Sequence, residues 1–410
     1  MDPLREWGTG DAIGVGTAGA PPPARPAWGA VHAMTLCTFV LVASEFMPVS
    51  LLSPIARDLR LSDGQAGQAI AVSGLFAMIA SLVIGRLIGR TDRRIVLIGL
   101  TGLLIVAGAL VAAAPGYVML MVGRAILGVA IGGFWSMSAA LAMRLVPAAS
   151  VPKALAILNG GNAVASVVGA PLGSFLGGLI GWRAAFFCVV PIAIGAMAWQ
   201  AFSIPALPAE PVRHRNAMVG LLRQRHVRIG LAGAALLFMG QFALYTYLRP
   251  FLEQVTHVGI GLLSTMLLVT GVAGFVGTML IGRLIGLRLH ILLATLPAIM
   301  AVVAIGLALG GRSPALVTML LALWGLAGTS APVAWWTWLT RAAPDAAEAG
   351  GGLMVAVVQF AIMAGATLGG FVYDGRGPVA AFIGSAGLLA LAACVALACR
   401  IGPAPPCRVR

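Results

Sequence analysis

The sequence predicts an all-α membrane protein in which twelve transmembrane helices form two six-helix bundles related by a parallel repeat. Three observations predict it. First, the chain partly lies on itself when shifted by 197 residues: GRLIG at Gly85 to Gly89 recurs at Gly282 to Gly286, and at the same offset Gly128 meets Gly325, Arg144 meets Arg341, Pro147 meets Pro344 and Gly173 meets Gly370. Well-spaced matches at one offset mark a tandem duplication. Second, hydrophobic residues make up 60% of the chain and charged residues 9%, with a mean hydropathy of +1.00. A soluble chain of 410 residues could not cover its surface with so few charges. Third, the apolar runs are roughly 20 residues long, enough to cross a hydrocarbon core of ~30 Å. They are helices, because backbone groups in lipid must be satisfied within each segment.

In chain order, residues 1–27, with Pro21-Pro22-Pro23 and many Gly and Ala, bury too little apolar surface to fold and are expected to be a disordered cytoplasmic tail. Gly14-x-Gly16-x-x-Gly19 within it matches a dinucleotide fingerprint, yet no strand precedes it and no amphipathic helix follows. The tail is not read as a cleavable signal, since the apolar run behind it has full span length and no small-residue cleavage pattern. The first bundle, 28–204, holds spans 29–54, 67–88, 95–114, 118–143, 154–180 and 184–204. A cytoplasmic linker, 205–228, carries Arg213, Arg215, Arg223, Arg225 and Arg228 against one acid, Glu210. The second bundle, 229–400, holds spans 229–252, 261–282, 289–309, 315–340, 350–373 and 379–400, and 401–410 is a short cytoplasmic tail.

Alternating the loops puts 19 Lys and Arg on the side of both termini, 6 on the other and 1, Arg124, inside a span, the 26 of the whole chain. The positive side is cytoplasmic. The net charge of +14 and pI near 11.2 raise the question of nucleic acid. The arginines, however, sit in short loops with no basic face interleaved with aromatics, so no nucleic-acid partner is expected and the lipid bilayer is.

Cys37, Cys188, Cys394 and Cys399 lie in spans and Cys407 in the tail, with no pair at metal-ligand spacing and no pair placed for a periplasmic disulfide. Lys153, the only lysine, follows Val151-Pro152 and no glycine-rich loop, so there is no nucleotide cradle and no direct ATP drive. No His-Glu-x-x-His, nucleophile elbow or paired intramembrane carboxylates appear, so neither enzyme, metal site nor cofactor is expected. Parallel repeats in a membrane are the plan of many secondary transporters, and an ion gradient remains as the drive.

Among the twelve acids only Glu45 is well inside a span; Glu253 falls at the outer end of the seventh, and Asp58, Asp63, Asp92 and Asp374 lie in loops or at span ends. A charge at the bilayer centre costs ~3 kcal/mol on insertion scales, so such a residue is functional by default. Its candidate partner is Arg124, since both lie ~10 to 15 Å from the outer ends of their spans at 1.5 Å per residue. Glu45 and Arg124 are therefore the expected proton-coupling pair, with a purely structural ion pair as the alternative.

The charged loop of Gly85 to Arg94, the Arg124-x-x-x-Gly128 step and the proline- and glycine-bearing fifth span resemble the motifs of the major facilitator superfamily, in particular its twelve-span drug:proton antiporters. The resemblance covers nearly all of Trp28 to Arg400. Segments EFMPVSLLSP from Glu45, GGFWSMSAALAMRLVP from Gly132, VPKAL from Val151, GAPLGSFLGGLIGWR from Gly169, GQFALYTYLRP from Gly240 and PVAWWTWLTR from Pro332 look closest to the bacterial inner-membrane members that export purine ribonucleosides in exchange for protons. The resemblance implies alternating access, nucleoside and proton as partners, a monomer, and a bacterial inner-membrane location with both termini cytoplasmic. It also implies a gating loop of Gly85, Arg90, Asp92, Arg93 and Arg94 and an antiporter motif of Gly169, Pro171 and Gly173. The loop departs from the family in carrying Gly89 where an acid is usual and Asp92 where a glycine is usual, so its gating pair is either rebuilt around Asp92 or absent. Four arginines there also satisfy the positive-inside rule alone. Asn159 and Asn162 are likewise not part of the resembling pattern. In the fifth span Gly169, Gly173 and Gly177 recur every four residues and Pro171 removes a backbone donor, which permits close helix approach and a bend; ordinary small-residue packing explains the glycines equally well.

In this superfamily the first, fourth, seventh and tenth spans line the central cavity. Gln241, Tyr245 and Arg249 fall at i, i+4 and i+8 on one face of a continuous seventh span. Trp335, Trp336 and Trp338 cluster in the tenth near the repeat equivalents of Trp135 and Ser136 in the fourth. With Asn162 and Gln359, the set Trp135, Gln241, Tyr245, Trp335 and Trp336 offers stacking surface for a purine and donors and acceptors for its edge and ribose. Interfacial or lipid contact is the plainer account of Trp338 and Tyr247, and the outer end of a helix that of Arg249. A proton-coupled exporter of sugars or amphipathic drugs would use the same scaffold, as would an uncoupled facilitator.

Overall fold

The computed structural model of the chain describes residues 26–208, 217–343 and 347–399. The expected disordered and C-terminal tails and the middle of the linker, with Glu210, Arg213 and Arg215, lie outside them, apart from Pro26 and Ala27. The described residues form helices and no strand: α1 (Trp28–Leu59), α2 (Asp63–Leu87), α3 (Arg93–Ala112), α4 (Tyr117–Leu145), α5 (Val151–Phe187), α6 (Val189–Ser203), α7 (Ala217–Arg223), α8 (Arg225–Tyr245), α9 (Leu248–Gln254), α10 (Ile260–Gly310), α11 (Pro314–Ala342) and α12 (Ala347–Ala398).

Twelve crossings follow once the long helices are divided. Gly181 and Gly377 both adopt φ 82°, a left-handed value that glycine takes without a Cβ clash, and each turns the chain back between two spans inside what is otherwise one helix. The fifth and sixth spans are thus 151–180 and 182–203, and α12 carries the eleventh and twelfth. α10 holds two spans, Ile260–Ile285 and Leu289–Gly310. α8 and α9 together make the seventh, while α7 belongs to the linker.

The seventh span is broken, contrary to the continuous helix expected from the sequence. Pro250 has no N–H for the carbonyl four residues back, and its ring crowds that carbonyl, so the helix stops at Tyr245 and restarts at Leu248. Arg249 is therefore not a third step on the face of Gln241 and Tyr245. The tight connection between the first two spans has its own local causes. Arg60, at φ 55°, closes α1 with its N–H on the Ala56 and Arg57 carbonyls, and Ser62 and Gln65 form a capping box that starts α2.

The duplication is visible in the packing. α4 and α11 have the same length and their ends differ by the 197-residue offset, Tyr117 to Pro314 and Leu145 to Ala342. Gly128 of α4 lies against the Ser73 carbonyl of α2, and its repeat partner Gly325 lies against the carbonyl of Thr270, the repeat partner of Ser73, on α10. A Cβ at either glycine would collide with backbone, so this step of the repeat is held by close helix approach.

Each half has an apolar core, and the second core also takes in Val49, Leu52 and Ala56 of α1 and Ala66 and Ile70 of α2. The halves thus share a core at the end that carries the α1–α2 turn. Large apolar side chains such as Phe202 (90% exposed), Leu309 and Phe371 stand on the outside, where a bilayer is the matching solvent. The chain is a multi-pass membrane protein.

Candidate functional site

Prolines in the spans create the site's polar demands. A helix proline leaves the carbonyl four residues before it without a backbone donor, and in lipid such a group needs another partner. Pro48 frees the Ser44 carbonyl, and Arg124 Nη1 donates to it at 2.9 Å. Pro54 frees the Ser50 carbonyl, and Arg249 Nη1, from the opposite half, donates to that one. Pro332 frees the Gly328 carbonyl, and Gln241 Nε2 donates to it at 3.4 Å.

Arg124 is fully buried. Its remaining donors go to the Ala69 carbonyl (2.8 Å), the Ser73 hydroxyl (3.0 Å) and the Glu45 carbonyl (3.3 Å). Ala69 and Ser73 are one turn apart on a single face of α2, which is how one planar guanidinium reaches both. The expected pairing with Glu45 is corrected in its form: the two side chains form no ion pair, and Arg124 holds Glu45 through its backbone. The Glu45 carboxylate instead accepts from Gln359 Nε2 of α12 at 3.4 Å. Glu45 is 7% exposed and Gln359 5%.

Next to Glu45, Phe46 stacks on Phe242 at 6.1 Å and meets the edge of Tyr245 at 6.4 Å. Phe242 is the repeat equivalent of Glu45 and Leu321 that of Arg124, so these two buried charges have no counterparts at the equivalent positions of the second half. Ser44, Ser73, Phe46 and Phe242 were not singled out from the sequence; Pro48 was the available signal for the first.

The remaining substrate candidates divide. Gln241 keeps Oε1 buried and unpartnered, and so does Gln359. Trp135 and Asn162 are partly buried, and Trp336 is 38% exposed. Trp335, 1% exposed, fills the space left by Gly233 of α8 and meets Trp338 at 5.7 Å. Trp338 and Tyr247 are likewise buried rather than lipid-facing. Trp338 lies over Gly230, and Tyr247 lies over Gly67 and donates to the Ala366 carbonyl at 2.7 Å.

The loop after α2, the expected gating loop, is anchored within the first half. Asp92 caps α3 through the Arg94 N–H (2.8 Å) and accepts from the Leu207 N–H (3.0 Å). Arg94 Nη2 donates to the Ala201 carbonyl at 2.6 Å. These contacts tie the loop to the segment behind α6 within one half. The Arg93 N–H donates to the Leu207 carbonyl at 2.9 Å, Arg90 is exposed, and no neighbour comes near Gly85. In α5, Gly169 packs on Ala43 and Gly173 on Ser50 and Met47, so the glycines bring the fifth span onto the first, while Pro171 is buried beside them.

The polar contacts between described residues of the two halves start at Glu45 and Gln359 and continue to the α1–α2 end. There, Arg57 pairs with Glu253 at 2.7 Å, Gln254 Nε2 donates to Asp63 at 2.9 Å, and Asp374 accepts from the Ser62 hydroxyl (2.5 Å) and the Gly64 N–H (2.9 Å). Ser264 donates to Ser174 at 3.1 Å. This end of the molecule is closed by ionic and polar contacts over a shared apolar core.

A family model described as Major Facilitator Superfamily matches residues 34–359. "Transcription regulatory protein OpdE" of Pseudomonas aeruginosa is 52% identical over 381 residues, which are 92% of this chain and 95% of that one. "Purine ribonucleoside efflux pump NepI" of Salmonella paratyphi B is 41% identical over 375 residues, 92% of this chain and 94% of that one. A bacterial homolog to the human lysosomal transporter Spinster, solved inward-facing and unoccupied, superposes with a TM-score of 0.77 at 15% identity, covering 92% of this chain and 99% of that one. The last is a likeness of fold alone.

Proposed function

The chain belongs to the major facilitator superfamily, and on that premise we propose that it exports purine ribonucleosides such as inosine and guanosine from the cytoplasm in exchange for protons, by alternating access. The observation that carries the reading is the similarity, over nearly the whole chain, to a relative named as a purine ribonucleoside efflux pump. The geometry supports it. Among the described residues one acid is buried, at the junction of the halves; it meets an amide with a free acceptor, the next residue stacks on Phe242, and a second such amide, Gln241, precedes Phe242 on α8, a set that suits a small, partly apolar cargo with N–H and O–H donors. Glu45 is the proton carrier in this reading, and Gln241, Gln359, Tyr245, Trp135, Asn162 and Trp336 contact cargo.

With the arginine-rich side in the cytoplasm, both termini are cytoplasmic, the membrane is the bacterial inner membrane, and the closed end is periplasmic. In this reading the closed periplasmic end is the one that must part for release. A C-terminal reporter that fluoresces in the cytoplasm is the expected topology result; one active only in the periplasm would refute the orientation.

Cells overproducing the protein are expected to release more inosine and guanosine and to tolerate toxic purine analogues. Everted vesicles are expected to take up labelled inosine when acidified inside, with competition by nucleosides and not by sugars. Competition by sugars or lipophilic cations alone would shift the substrate to the exporter classes that share the scaffold. A second reading rests on the relative named as a transcription regulatory protein: deletion that changes transcript levels, in vesicles that move no nucleoside, would favour it.

A further inference from the structure

In the middle of the molecule the polar contact between the halves involves a group with two chemical forms. Gln359 Nε2 on α12 donates to the Glu45 carboxylate on α1. The other amide atom, Gln359 Oε1, is buried and has no partner. A carboxylate only accepts hydrogen bonds, whereas a carboxylic acid also has an O–H to donate. One amide serves both forms from the same place, with Nε2 giving to the ionised acid and Oε1 taking from the protonated one.

Arg124 cannot play this part: a guanidinium has donors and no acceptor, and four of its N–H groups already serve the Ser44, Ala69 and Glu45 carbonyls and the Ser73 hydroxyl. Nor is the α12 backbone loose at this point: a Cβ on Gly74 of α2 would come within 2.9 Å of the Gln359 carbonyl, so the two spans are in close contact there. The titratable and charged groups near Glu45 are Arg124 from α4 and, against the adjoining Phe46, Tyr245 from α8; α2 contributes Ser73 and α12 Gln359.

We propose that Gln359 is the positioning residue of the proton site: by exchanging the hydrogen bond it makes with Glu45, it carries the acid's protonation state from the first half of the molecule to the second. The inference rests on Glu45 as the proton carrier. The proton itself enters from water onto a carboxylate oxygen and leaves again to water, regenerating the carboxylate. Gln359 neither gains nor loses one; it changes from donor to acceptor, and the contact across the halves changes with it.

The test measures opening directly and needs no substrate. Labels go on Leu87 at the end of α2 and Leu284 in α10, both exposed and at the end opposite the closed one, in full-length protein lacking its native cysteines and held in lipid nanodiscs. The label separation in the parent protein is expected to differ between acidic and alkaline buffer, and Glu45→Gln to abolish the difference. Gln359→Met keeps volume and removes the amide; Gln359→Asn keeps an amide too short to reach. Each is expected to shrink the pH response by about fivefold or more, as loss of one hydrogen bond of ~1 kcal/mol implies, with a parent-like melting temperature. A Gln359→Met protein that responds like the parent overturns the proposal, as does such a Gln359→Asn protein if the first fails to fold. A parent with no pH response overturns it too. Since no nucleoside enters the experiment, failure of the substrate reading leaves the outcome untouched.

Discussion

Arg124→Ala is expected to abolish transport and to lower the amount of protein in the membrane several-fold. The reason is the carbonyls Arg124 serves more than the acid near it. Without the guanidinium the Ser44 carbonyl, which Pro48 has already deprived of its helix donor, has no partner in a dry helix, and the Ser73 hydroxyl loses its acceptor role. Each buried unsatisfied group costs ~1–3 kcal/mol, a substantial part of the ~5–15 kcal/mol that holds a folded protein together. Arg124→Lys restores one point contact and not the fork, so it is expected to recover protein and little activity. The discriminating measurement is the double variant with Glu45→Gln. If the two residues were held together as an ion pair, neutralising both would relieve the single defect. Bound as they are, the double variant is expected to be as poorly retained in membranes as Arg124→Ala, judged by size-exclusion of solubilised protein. Recovery to wild-type levels would show that carboxylate and guanidinium depend on each other after all.

The fold was legible because its determinants are one-dimensional. Span length, the apolar run and the 197-residue repeat are read along the chain, and even the turns at Gly181 and Gly377 fall between the spans drawn from hydropathy. The site was legible only in part. Glu45 and Arg124 stand out because charge is rare in lipid, and that rarity says where a partner is needed without saying which atom supplies it. One partner of Arg124 is the carbonyl exposed by Pro48, as Arg249 and Gln241 answer those exposed by Pro54 and Pro332, a three-dimensional consequence of a sequence feature that was in plain view. The packing of two tryptophans of α11 was hidden for a related reason. Aromatic residues in a span suggest stacking on cargo, but Gly230 and Gly233 on α8 leave space that Trp338 and Trp335 fill, and only the facing helix reveals it. The displaced acid Asp92 likewise needed its spatial neighbour, Leu207, before its capping role was visible.

Glu45→Gln is expected to end pH-driven uphill export, by about tenfold or more, while exchange of internal for external substrate persists. No other acid is well inside a span, so carboxylate-based coupling within the membrane has no other carrier in the site. The substitution tests charge in isolation. A glutamine at this position has the same size, still offers an acceptor to Gln359 Nε2, and adds a donor for the unpartnered Gln359 Oε1. It leaves untouched the Glu45 carbonyl that Arg124 binds, so neither the packing of α1 against α4 nor the stack of Phe46 on Phe242 is disturbed. The variant is thus fixed in the form that resembles the protonated acid, able to move between its two facing states with cargo but unable to release a proton in either. Proteoliposomes loaded with inosine report both halves of the expectation: counterflow at equal pH continues, and accumulation driven by an imposed pH difference collapses. A Glu45→Gln protein that still concentrates nucleoside against its gradient would place the proton elsewhere. The next group to test would then be Glu253, which joins Arg57 and Arg249 at the closed end and whose ion pairs must part when that end opens.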